Sequence, residues 1–149
     1  MPHELLFSRL PEVASKETFI VQVTGHRVIP DGIYSFPEMY CNEADCDCRR
    51  ALLQVWDNTN PGHSLALMGY GWEPAAFYRK WYHGEEGWEE LVGAHLAIGA
   101  PQGRYAVEFL TILRQLLSHP DNVERIRRHH ALFRAAPAAR GLKSKLRRK

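Results

Sequence analysis

Cys41, Cys46 and Cys48 are the three cysteines of the 149-residue chain, and all fall in the stretch YCNEADCDCRR (40–50). Alternate side chains of an extended backbone share one side, so the sulfurs of Cys46 and Cys48 face one point while Asp47 faces away. Cys41 returns to that point across the short loop 42–45. Three thiolates at about 2.3 Å from one ion, with one further donor, complete a tetrahedral zinc site. Soft thiolates select zinc or an iron–sulfur cluster over magnesium or calcium, and three of them in one short loop make zinc the simpler choice. The spacing C-x4-C-x-C matches neither a zinc ribbon, a C2H2 finger nor the zinc-deaminase pattern. Competing readings are reactive or redox thiols and cysteines with no ligand. Arg49 and Arg50 follow at once and would offset the negative charge of a thiolate-bound cation, although two arginines at a strand start are also ordinary surface charge.

The fourth ligand depends on the elements that surround the cysteines. ALLQVW (51–56) and HSLALMGYGW (63–72) read as the strands of a hairpin, with the turn-forming DNTNPG between them. His63 then lies at the far end of that hairpin from Cys48, over ~20 Å away at about 3.3 Å per residue. Trp72 and Glu73 lie near Cys48 instead. His129 and His130, on the last helix, are the leading donors from above the hairpin, with His95, Glu43 or water as alternatives. A histidine on an apolar helix stripe is also a common hydrogen-bonded core residue. A closed Cys3His site stabilises the fold, whereas an open position holding water would suit a hydrolase with Glu38 or Glu43 as general base. Three thiolates make zinc a weak Lewis acid, which favours the structural role.

The remaining elements predict an α+β fold. TFIVQVT (18–24) and IYSFPEMY (33–40) read as strands, the second limited to an edge or bulge by Pro37. AAFYRKWY (75–82) reads as a helix, as does Trp88–Leu96, where Trp88, Leu91, Val92, His95 and Leu96 share helical spacing. RYAVEFLTILRQLLS (104–118) carries a clear apolar stripe. The last helix, 122–134, is expected to start at a capping box of Asp121 and Glu124 and to bury Val123, Ile126, His130 and Phe133. The expected architecture is a small antiparallel β region with a zinc knuckle at a strand end, packed against three or four C-terminal helices. Residues 1–134 form one zinc-binding domain and residues 135–149 a basic, flexible tail.

Residues 1–124 carry 9 Lys+Arg and all 17 Asp+Glu, whereas residues 125–149 carry 10 Lys+Arg and no acid. Arg140, Lys143, Lys145, Arg147, Arg148 and Lys149 are therefore candidate contacts to nucleic acid or an acidic protein partner, or else a solubilising terminus. The first twenty residues hold no signal-peptide apolar run, and no apolar run approaches about 18 residues, so a cytoplasmic, reducing setting without membrane insertion is expected. The aromatic-rich segment 70–88 reads as core ahead of a ligand pocket. No serine-hydrolase, metalloprotease or dinucleotide motif is present, so a non-enzymatic binding protein leads, followed by a zinc hydrolase and then a thiol-redox protein.

Overall fold

The computed structural model of the chain describes residues 3–84 and 86–137. Within them, eight strands and five α-helices make an α+β fold in which every strand pair is antiparallel. The strands are β1 (His3–Leu5), β2 (Phe19–Val23), β3 (Gly32–Phe36), β4 (Glu38–Cys41), β5 (Arg50–Gln54), β6 (Trp56–Asp57), β7 (Leu67–Gly71) and β8 (Gly93–Leu96). The helices are α1 (Leu6–Arg9), α2 (Pro11–Glu17), α3 (Ala75–Trp81), α4 (Ala106–Leu117) and α5 (Pro120–Ala135). One sheet runs β1-β4-β5-β7-β8 and the other β2-β3-β6. No helix among the described residues is long and apolar enough to cross a membrane.

Pro37 does more than limit a strand. It divides the expected strand 33–40 into β3 and β4, which belong to different sheets, and Val55 divides the partner strand at the facing point. The register continues through the break: Tyr34 faces Asp57 and Ser35 faces Trp56 on one side, Glu38 faces Leu53 and Met39 faces Leu52 on the other. One bent antiparallel ribbon thus contributes β4 and β5 to the larger sheet and β3 and β6 to the smaller. A proline has no N–H for the ladder, so the bend falls where a backbone donor is already missing. The turn of this ribbon is residues 42–49, the cysteine loop.

The β5–β7 pairing confirms the expected hairpin, with Arg50 opposite Gly71 and Gln54 opposite Leu67. Residues 88–96, expected as a helix, are instead a short 3-10 turn (Trp88–Leu91) followed by β8 on the edge of β7. Gly93 at φ +66° breaks the helical path, and β7 offers unpaired backbone groups that a strand satisfies. β1, α1 and α2 precede the first expected strand.

The helices cover both faces of the larger sheet. On one face α4 buries Ala106, Phe109, Leu110 and Leu113, as its apolar spacing dictates, and Phe109 meets Tyr34 and Phe36 edge-on at 5.0 and 6.3 Å. α5 lies on the same side, burying Ile126, His129 and Phe133. Its start differs from the expected capping box: Pro120 occupies the first turn, His119 is the N-cap, and no side chain caps the helix. Its docking face keeps Ile126 and Phe133 as expected but takes in His129 rather than His130, and His129 is fully buried. On the opposite face, α3 is seated where Gly71 leaves room, since a Cβ there would lie 2.0 Å from the Leu91 carbonyl oxygen and 2.7 Å from Tyr78 Oη.

Candidate metal centre

The sulfurs of Cys41, Cys46 and Cys48 all lie within 4.8 Å of one another, so the cysteine loop brings its three soft donors to one point. Cys41 ends β4 and Cys48 lies just before β5; both are buried, and Cys46 between them is half-buried. Burial pushes all three thiols above the ordinary cysteine value. That is the reverse of the lowered pKa a reactive or redox thiol needs. A bound divalent cation would instead favour the deprotonated, ligating form. The donor set fits a thiolate-preferring metal.

The loop is held from two directions. From α5, Arg134 donates to the backbone carbonyls of Cys46 and Ala44, the latter at 3.0 Å. From α3, Tyr78 Oη donates to the Arg49 carbonyl at 2.7 Å while accepting from the Glu73 N–H at 3.3 Å. Burial lifts the Tyr78 phenol to about 12, so it remains a donor at neutral pH. Arg49, at φ +49°, bridges Asp47 at 3.0 Å and Glu73 at 2.5 Å and lies over the Phe77 ring at 4.5 Å. It therefore clamps the loop to α3 rather than facing the sulfurs. Arg50 is directed along the sheet, with Nη2 2.8 Å from His95 Nε2 and its Nε buried without a partner. Its charge lies close enough to Cys48 for each to act on the other's ionisation.

The two histidines of α5 are not brought to the sulfurs. His129 is fully buried with both ring nitrogens occupied, Nδ1 by Glu38 at 2.8 Å and Nε2 by Glu17 at 3.1 Å. Burial pulls its imidazole down, but the bonds to the two carboxylates outweigh burial and hold its pKa above the ordinary histidine value. Tyr40 also donates to Glu38. Arg128, then His129, hold the Glu17 carboxyl down at about 2. This polar cluster joins α2, β4 and α5. His130 packs against Trp72 at 5.0 Å and Tyr40 at 5.7 Å, on the Asp47 side of the loop, where burial and Arg134 lower its pKa. His95 has Nε2 on Arg50 and Nδ1 3.1 Å from the Gly93 carbonyl, and burial followed by the Arg50 charge lowers it to about 4.

Sequence reasoning missed Arg134, Tyr78 and His3. His3 lies directly opposite Cys41 in the β1–β4 ladder, half-buried, and its Nδ1 is buried without a hydrogen-bond partner. Only the register reveals this neighbour, because β1 is a three-residue edge strand with no pattern of its own. An apolar cavity of about 390 Å³ under α1 and α2, bordered by Glu38 and Trp56, shares no lining residue with the thiols. The six basic residues from Arg140 to Lys149 lie outside the described residues. No protein-family model matches the chain, and no curated protein or solved structure matches it at a significant level.

Proposed function

We propose that the chain is a binding protein whose cysteine loop is stabilised by a structural zinc ion, held by Cys41, Cys46 and Cys48 with one further ligand. The observation that carries this reading is the convergence of the three sulfurs at the turn of the bent ribbon. Bound there, zinc would supply folding free energy by cross-linking the end of β4 to the start of β5. Burial of two of the three donors suits a structural ion better than one exposed to substrate. The binding role draws on charge. Within α5, Arg125 and Arg128 are tied to Glu17 and Arg134 to the cysteine loop. Arg127 has only an exposed, 3.9 Å contact with Glu124, so the basic groups left for a nucleic acid or an acidic partner are chiefly Arg127 and those from Arg140 onward.

The test is metal analysis of protein purified without added zinc. One zinc per chain is expected, lost in Cys48→Ser, with a lower Tm after chelation. Full metal content in that variant, or a metal-free wild type of unchanged stability, overturns the reading. For the tail, deletion of residues 140–149 should weaken binding to a duplex oligonucleotide and flatten its salt dependence, by up to about 0.9 in slope for each phosphate that is no longer neutralised. Binding unchanged by deletion and insensitive to salt refutes the electrostatic role.

A further inference from the structure

We infer that His3 is the fourth ligand, closing a Cys3His zinc site through Nδ1 and bonding the N-terminal strand to the cysteine loop. The inference rests on the metal reading above and adds the residue that completes it. His3 and Cys41 are direct partners across β1 and β4, and side chains directly opposite in an antiparallel pair project from the same face with Cβ atoms about 4.5–5.5 Å apart. The neighbouring pair shows which face this is. Glu4 and Tyr40 take the side covered by α1 and α5, where Glu4 meets Arg9 at 3.1 Å and Tyr40 packs against Phe133 at 5.6 Å. His3 and Cys41 therefore share the other side. The ladder also carries Arg50 into this row, two strands from His3, and the Arg50 charge acts on both His3 and Cys48.

Comparison with His83, His95, His129 and His130 leads to the same residue. His129 and His95 have both ring nitrogens occupied, and His130 packs against Tyr40, on the opposite face of β4 from Cys41. His83 borders a cleft with Cys46 but is exposed on the loop after α3. His3 Nδ1 is a buried nitrogen without a partner. Such a group keeps an uncompensated desolvation cost unless something satisfies it, and a metal about 2.0–2.1 Å from the nitrogen would do so. The sulfurs form their group without a fourth donor among the described residues, so His3 Nδ1 must come closer to them when the ion binds.

The experiment uses the full chain loaded with cobalt(II), whose visible spectrum reports the donor set, together with zinc affinity by chelator competition. His3→Ala should weaken zinc binding by at least about 10-fold, since even residues that only orient a ligand contribute 10–100-fold. It should also shift the cobalt bands as a nitrogen donor is replaced by water. His3→Cys should restore tight binding with a four-sulfur spectrum, which also shows that an altered β1 still folds. If Cys48→Ser abolishes binding while His3→Ala leaves affinity and spectrum unchanged, the assignment of His3 is overturned and the three-thiol site stands. A spectral change confined to His83→Ala overturns it in favour of that residue. Wild-type protein that binds no cobalt defeats the underlying metal reading itself.

Discussion

Replacing Tyr78 by Phe removes one oxygen from the junction of α3 and the cysteine loop. That oxygen is the 2.7 Å donor to the Arg49 carbonyl and the 3.3 Å acceptor from the Glu73 N–H. Tyr78 is fully buried, and the space left by one oxygen is too small for a compensating water. Two backbone groups lose their partner, so the expected cost is about 1–3 kcal/mol. For a chain of this size that corresponds to a Tm lower by roughly 2–12 °C. Arg49 directly follows Cys48 and has a left-handed backbone, a conformation that its surroundings must hold in place. Part of the loss should therefore appear at the metal: each 1.4 kcal/mol of it weakens zinc binding about tenfold. Urea denaturation and chelator competition measure the two effects on the same variant. A change below about 0.5 kcal/mol in stability, with zinc affinity unaltered, would show that the loop does not depend on this oxygen.

Arg134→Ala, which frees the carbonyls of Ala44 and Cys46, is expected to weaken zinc binding by about 10–100-fold with a modest change in Tm, and an unchanged affinity by chelator competition contradicts the clamp. The pH dependence of stability follows from Glu17 and His129. Glu17 is depressed to about 2 in the folded state, so its contribution is complete above the unfolded value near 4.5 and fades as pH falls toward 2. His129 is raised, so its contribution is complete below about 6.5 and fades as pH rises through the folded value. The stability difference between wild type and Glu17→Gln should accordingly be larger at pH 5.5 than at pH 3 in urea titrations, and a pH-independent difference rejects the assignment.

The parts of the fold legible in the sequence are those set by local chemistry. The cysteine spacing placed three sulfurs at one point, the hairpin register placed Glu73 beside the loop, and the α4 stripe marked its buried face. The parts that were not legible depend on a distant partner. Over 88–96, helical spacing and strand alternation cannot be separated, and the free edge of β7 decides between them. His129 and His130 differ by about 100° around α5, and the carboxylates of Glu17 and Glu38, from other elements, select which one turns inward. His3 became a site residue only through its pairing with β4.

The cysteine loop is the turn of a ribbon that bends at Pro37 and Val55 and contributes strands to both sheets. In kinetic terms, if the proposed metal binds while the rest of the chain is still unpaired, metal–sulfur bonds would close this turn and meet part of the entropic cost of bringing the two arms together. With the ion bound, the arms would zip outward from Cys41 and Arg50, and the ion would act as part of the folding nucleus. Zinc loading would therefore govern how quickly the chain leaves its aggregation-exposed state as well as how stable it is once folded.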